Sequence, residues 1–223
     1  MYWTDEGYLL FKSNYRENSI IIEAFTLNHG KCTGIVYGGS SRKQKNNFQI
    51  GNKILLNWKS KSENKIGYFN IELIKPISPP YFDDKRKTIC ILSASIILKL
   101  LLPEKQINKK IFYLFEEFLF QLNSDEWIKS YISWELSLIK ELGFEINFTN
   151  KKKQDNNIKR TIELNNKYFK IPKLLLSNNE NNNSNIDIKE ALIFNKNIMM
   201  ENFILPNQLK FPLSRNILEN YYN

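Results

Sequence analysis

Apolar and polar positions alternate through the first third of the chain. Tyr8-Leu9-Leu10-Phe11-Lys12, Ile20-Ile21-Ile22-Glu23-Ala24-Phe25 and Gly34-Ile35-Val36-Tyr37 each read as a short strand. So do Lys53-Ile54-Leu55-Leu56-Asn57-Trp58 and Ile66-Gly67-Tyr68-Phe69-Asn70-Ile71-Glu72-Leu73, the former entered from Phe48-Gln49-Ile50-Gly51-Asn52. Asn18, Asn28-His29-Gly30 and Gly38-Gly39-Ser40-Ser41 supply turns between them. About five strands with turns every ~8–12 residues predict a small barrel or sandwich.

Pro76-Ile77-Ser78-Pro79-Pro80 ends this pattern, because closely spaced prolines resist both helix and central strand. A domain boundary is expected here, with an all-β domain over 1–78 and an all-α helical bundle over 79–223. The class is therefore α+β, in two domains. Beyond the prolines the period becomes helical. Ile89, Leu92, Ile96 and Leu100 fit one stripe that stops at Pro103, and Ile111 to Phe120 form a second helix rich in aromatics. Ser124 is the expected N-cap of a third, with Asp125 and Glu126 in its first turn. Its stripe runs Trp127, Tyr131, Trp134, Leu138 and Leu142, with Gly143 as the stop. A polar loop or hairpin insertion is expected near 149–186. Lys151 to Asn157 read as loop, Arg160–Leu164 and Lys167–Ile171 as a hairpin turning at Asn165-Asn166, and Asn178 to Asn185 as an Asn-rich loop. Short helices around 187–204 and 213–222 close the bundle.

Composition adds a partner class. Hydrophobic residues make up 42% of the 223 positions, enough for a core, and the formal charge of +9 favours an anionic partner. Charge alone does not separate DNA, RNA and an anionic membrane. The opening Met1-Tyr2-Trp3-Thr4-Asp5-Glu6 has no basic, apolar leader character. The apolar stretch Ile89–Leu102 is interrupted by Ser93, Ser95 and Lys99 and is too short for a bilayer. A cytoplasmic location is expected.

Catalytic constellations are sparse. His29, the single histidine, sits in a turn-like Asn-His-Gly and reads as a surface turn residue. Cys32 and Cys90, far apart and without a CxxC, read as small hydrophobes rather than a disulfide or metal pair. No phosphate-binding glycine loop of either common pattern is present. Glu116-Glu117 and Asp125-Glu126 read as helix-surface acids. The expectation is a binder with no catalytic residue, no metal, no cofactor and no small-molecule substrate.

The basic residues are distributed unevenly. Residues 24–62 hold seven Lys/Arg (Lys31, Arg42, Lys43, Lys45, Lys53, Lys59 and Lys61) and no Asp or Glu. Tyr37, Phe48 and Trp58 are threaded among them, flanked by Tyr15 and Tyr68. Cations that track phosphates beside aromatics that stack on bases are how small barrels hold single strands. A membrane reading needs a basic amphipathic helix, and this run lies in predicted strands and turns. A second cluster, Lys151–Lys153 with Lys159 and Arg160, reads equally well as a solvated loop.

Several short motifs occur in a recognisable order. Trp3-Thr4-Asp5-Glu6-Gly7-Tyr8-Leu9-Leu10, Tyr15-Arg16-Glu17-Asn18-Ser19, Phe25-Thr26 with His29-Gly30, and Gly34 to Arg42 come first. Gln49-Ile50-Gly51-Asn52, Trp58 with Ile66-Gly67, Trp134-Glu135-Leu136 and Glu141-Leu142-Gly143-Phe144 follow. In this the chain resembles the bacterial RecO family of recombination mediators, densely over 1–75, intermittently to about 148 and faintly afterwards. The resemblance implies an N-terminal OB-fold barrel and a C-terminal helical domain. It implies a nucleoid-associated protein that binds single- and double-stranded DNA, anneals complementary strands and, with RecR, helps load RecA on strands coated by single-stranded-DNA-binding protein (SSB). The SSB C-terminal tail is an implied partner, in a pocket of the helical domain. Many relatives carry a four-cysteine zinc module after this Glu141–Phe144 segment; no cysteine follows Phe144 here, so no zinc is expected. The candidate DNA-binding residues are Arg16, Lys31, Arg42, Lys43, Lys45, Lys59, Lys61, Tyr37 and Trp58. The alternative is an OB-fold RNA-binding or ribosome-associated factor.

Overall fold

The longest strand, β1, runs Tyr2–Arg16 and serves two neighbours in turn. Its first half pairs antiparallel with β4 (Lys53–Lys59), from Tyr2↔Lys59 to Tyr8↔Lys53. Its second half pairs antiparallel with β2 (Ser19–Thr26), ending at Arg16↔Ser19. A bulge between Leu9 and Phe11 marks the change of partner. There the Leu9 amide donates to the Asn52 carbonyl at 3.0 Å and the Gly51 amide donates to the Leu9 carbonyl at 2.7 Å. No backbone group of Leu9 is left without a partner by the change. The sequence pattern hides the first six residues of this strand, because Asp5 is a buried acid in an otherwise alternating run.

β2 pairs with β3 (Gly30–Tyr37), and β5 (Gly67–Lys75) pairs antiparallel with β4. The ring closes through a short parallel contact, Gly34↔Gly67 and Ile35↔Tyr68. The result is a closed five-stranded barrel of the OB type, in the order β1-β2-β3-β5-β4. Both seam glycines are required by close approach. A Cβ on Gly67 would lie 2.0 Å from the Trp58 indole nitrogen, and one on Gly34 would lie 2.4 Å from the Phe69 ring. Alternate residues point inward: Leu9, Ile20, Ile22, Ala24, Val36, Ile54, Leu56 and Ile71 fill the barrel, with Trp58 and Phe69 beside them.

Residues 1–39, 48–62, 66–144, 161–165, 167–176 and 184–223 are described in this computed structural model. By internal contacts the chain divides into Met1–Tyr113 and Leu114–Asn223. In the first unit, the proline-rich segment is tied to the barrel by Asn52, whose side-chain oxygen accepts from the amides of Ile77 (2.9 Å) and Ser78 (3.3 Å). Helix α1 (Lys85–Leu101) follows, N-capped by Asp84, which accepts from the Arg86 and Lys87 amides at 3.0 and 3.1 Å. α1 packs on β1 and β2. Its deeply buried face is Cys90, Ile91, Ala94, Ile97 and Leu98, one step round from the expected Ile89–Leu92–Ile96–Leu100 stripe. The helix is apolar almost all round, so periodicity does not select the face. α2 spans Lys109–Gln121, and Phe112 near its start packs on Tyr8 and Phe25.

In the second unit, α3 spans Trp127–Glu141 and buries Trp127, Tyr131, Trp134 and Leu138, as its stripe predicts. The expected Ser124 cap is not formed. The Ser124 hydroxyl donates instead to the Gln121 carbonyl at 2.8 Å, and Glu126 occupies the cap position with its carboxylate on Lys129 rather than on the helix amides. At the other end, Gly143 has φ +97°; its amide donates to Lys140 and the Phe144 amide to Ile139, a Schellman stop. β6 (Thr161–Leu164) and β7 (Lys167–Lys170) form an antiparallel hairpin with Asn165 at φ +50°. α4 (Asn185–Met199) starts with a reciprocal Ser184–Asp187 capping box and packs against α3 and α5 (Leu213–Asn220). The expected polar loop and most of the Asn-rich segment lie outside the described residues.

Candidate nucleic-acid interface

The pleat decides which of the barrel's aromatics face out. On β5, Gly67 and Phe69 are buried and Tyr68 between them is exposed; on β4, Trp58 is buried and Lys59 is exposed. Register then places the outward residues side by side. Lys59 lies opposite both Tyr2 and Tyr68, Tyr37 opposite Ser19, and Ser19 opposite Arg16. Tyr37 and Tyr68 stack with centroids 5.1 Å apart, and the Arg16 guanidinium lies 5.2 Å from the Tyr15 ring centroid. Four tyrosines, at 42–68% exposure, and three exposed cations (Arg16, Lys59 and Lys61) thus share the region around the β1–β2 turn and the β4–β5 connection. The hydrogen bond with Tyr68 raises the Tyr37 phenol pKa above its ordinary value, with slight desolvation adding to it. Tyr37 therefore presents a neutral ring. OB barrels bind oligonucleotides beside these two connections.

The expected site residues do not all gather here. Arg16, Tyr37, Lys59 and Lys61 do. Lys31 does not: it is buried, its ammonium donates to the Lys99 carbonyl at 2.8 Å and lies 3.6 Å from Glu104. It ties α1 and the following segment to β3, and a phosphate has no access to it. Trp58 is only 8% exposed and packs inside the barrel, stacked on Trp3 at 5.5 Å. Arg42, Lys43 and Lys45 lie outside the described residues. Tyr2 is the addition that tertiary structure makes. Tyr68, expected only as a flanking aromatic, is brought onto the face by its alternation with the buried Gly67 and Phe69 and by its stack on Tyr37.

His29 is not simply a surface turn residue. Its Nδ1 lies 2.9 Å from Asp5 and its ring stacks on Trp3 at 4.1 Å and 10°. Asp5 also accepts from the amides of Glu6 (2.9 Å) and Asn28 (2.7 Å), so one buried carboxylate organises the β2–β3 turn. Beside these residues a cavity of about 860 Å³ opens, lined among others by Trp3, Asn28, His29, Thr33, Trp58 and Glu104. Cys32 also borders it; burial first, with Glu104 nearby, pushes its thiol up to about 12, so it is protonated and unreactive at neutral pH. Among the described residues, no group of three or more His, Cys, Asp or Glu is placed to hold a metal ion. No described helix is long and apolar enough to cross a membrane.

The family model for Recombination protein O N terminal matches residues 1–77, and that for Recombination protein O C terminal matches residues 83–193. The chain belongs to the RecO family. Curated RecO relatives extend the match. A DNA repair protein RecO from Wolbachia pipientis subsp. Culex pipiens (strain wPip) is 34% identical over 151 residues, 67% of this chain and 62% of the relative. Those from Ehrlichia chaffeensis and Roseobacter denitrificans are 33% and 31% identical over 151 and 147 residues, each aligned over 61% of its length. The aligned part of the chain thus spans about three fifths of the RecO relatives it matches.

Proposed function

We propose that this chain is a non-catalytic DNA repair and recombination mediator that binds single- and double-stranded DNA on the outer face of its barrel. In this reading it anneals complementary strands and, together with RecR, helps load RecA on SSB-coated DNA. The observation that carries the DNA-binding part is the exposed Tyr37–Tyr68 stack bordered by Lys59, Lys61 and Arg16. Stacked phenols offer flat, sequence-tolerant surfaces to bases, and the cations offer charge to phosphates. The mediator part is supported by membership of the RecO family and by relatives that are DNA repair proteins RecO.

Arg16, Lys59 and Lys61 at the face, with Arg42, Lys43 and Lys45 from the acid-free run 24–62, make six candidate phosphate contacts. Six contacts to a single strand give a slope of about −4 for log affinity against log salt, so a fourfold rise in salt weakens binding roughly 250-fold. A salt titration of single-stranded DNA binding, with and without SSB, tests this. Reversing Arg42, Lys43 and Lys45 to Glu is expected to flatten the slope markedly. A preference for structured RNA with no strand annealing overturns the proposal in favour of the RNA-binding alternative. Unchanged DNA affinity in the triple variant, with partner binding kept, points instead to an adaptor whose partners are proteins.

A further inference from the structure

Resting on the DNA-binding reading above, we propose that the cavity at the barrel seam is a pocket for one unstacked nucleobase of the bound strand. Among the described residues two pairs, Gly34↔Gly67 and Ile35↔Tyr68, join β3 to β5, and towards the start of β3 no further pair follows. Glu104 bridges to Lys31 there, and the Lys105 amide donates to the Lys31 carbonyl at 2.8 Å. The opening left between this segment and β4/β5 is the 860 Å³ cavity. At roughly 300–1,000 Å³, small-molecule pockets of this class accept ligands of nucleotide size.

Its lining favours a flat aromatic guest. His29, Trp3 and Trp58 form a near-parallel series, at 10° and 15° between successive planes, which a planar base can extend. A branched aliphatic side chain would cover less of these faces. Polar groups stand on the wall for a base edge: Asn28, Thr33 and Glu104, whose carboxylate already accepts from the Thr33 hydroxyl at 3.2 Å. The pocket reaches the surface at Met1 and Ile66, both exposed and both in its lining, beside Tyr2 and close along β5 to Tyr68. A strand held by Lys59 and Tyr68 therefore passes close to the opening. Asp5 holds His29 in place and gives the rings a fixed orientation before any base arrives.

The test uses the full chain and a single-stranded oligonucleotide carrying 5-iododeoxyuridine at one position, cross-linked by long-wavelength light, with adducts mapped by mass spectrometry. Adducts at Trp3 or His29, in addition to any at Tyr37 or Tyr68, are expected. Thr33→Trp, which fills the cavity from the β3 wall, should abolish the Trp3 and His29 adducts and weaken single-strand binding about tenfold, the scale of one lost stacking contact, at an unchanged salt slope. His29→Ala, on the β2–β3 turn, is the second variant should Thr33→Trp fail to fold; a similar weakening is expected. Adducts confined to Tyr37 and Tyr68, with both folded variants binding like the parent, overturn the pocket while leaving the outer-face reading intact. Absence of strand binding by the parent chain overturns the outer-face reading itself. Displacement from the pocket by an apolar peptide but not by the oligonucleotide assigns it to a protein partner and also overturns the proposal.

Discussion

The two units solve the problem of a specific core in opposite ways. The barrel's core cluster is apolar, from Leu9 and Ile22 to Leu56 and Ile71, and among the described residues of this unit the one buried carboxylate, Asp5 of β1, lies against the β2–β3 turn with amide partners. The helical unit instead buries charge at its centre. Glu135 and Arg215 are both fully buried, joined by Nε–Oε1 at 2.5 Å and Nη2–Oε2 at 3.1 Å. Asn195 donates to the same carboxylate at 3.1 Å, and Arg215 donates onward to the Leu192 carbonyl at 2.7 Å. Desolvation alone would lower the Arg215 pKa. The charge of Glu135 beside it, then Tyr131, the Glu135 hydrogen bonds and Glu219, reverse that and hold it above its usual value. A barrel closed by strand register needs no polar registration inside. Helices packed through smooth apolar faces can slide, and one buried pair that must meet limits how α3, α4 and α5 fit together.

The contrast can be broken most forcefully at the ion pair. Arg215→Met or Glu135→Leu alone should each destabilise the helical unit by about 3–5 kcal/mol, since each strands a buried charge. The double variant should recover most of that loss in urea unfolding; failure to recover would mean the pair contributes more than registration. In the barrel, Leu56→Ala should cost about 3 kcal/mol through the cavity it leaves, with no second-site polar rescue available. At a helix end, Asp84→Ala should cost about 1 kcal/mol, measured by the same unfolding curves.

Smallest near neutrality is the effect of Cys32. Its thiol is raised in the folded state from an ordinary 9.0 to about 12, so its contribution to stability is complete below about pH 9 and declines as pH rises towards 12. Alkylation of this thiol at pH 8 should require unfolding, and rapid modification of the native chain would contradict the burial. Lys59→Gln should leave the unfolding free energy within about 0.5 kcal/mol of the parent, as exposed positions do, while weakening strand binding.

Much of this was legible in sequence. Strand alternation located all five barrel strands, and the stripe Trp127–Tyr131–Trp134–Leu138 located the buried face of α3, because period and burial coincide there. The hairpin at Asn165 was legible from its Asn-Asn turn. Ser124 was misjudged as a cap because capping depends on where the backbone leaves helical angles, which neighbouring turns decide. Lys31 and Trp58 looked like surface ligands because a basic or aromatic residue in a strand has two faces to choose from. Register settled that choice by setting Lys31 against α1's last carbonyls and Trp58 over Gly67.

By itself the sequence determined the element types, the proline-marked change from strand to helix, the acid-free basic run and the family motifs. All of these are local in the chain and follow from period, turn chemistry and composition. Tertiary structure alone decided the closure at Gly34↔Gly67, the stacking of Tyr37 on Tyr68, the aromatic-lined seam cavity and the pairing of Glu135 with Arg215 80 residues away. Each of these depends on which distant residues share a strand register or a helix face, a relation that no local pattern of hydrophobicity encodes.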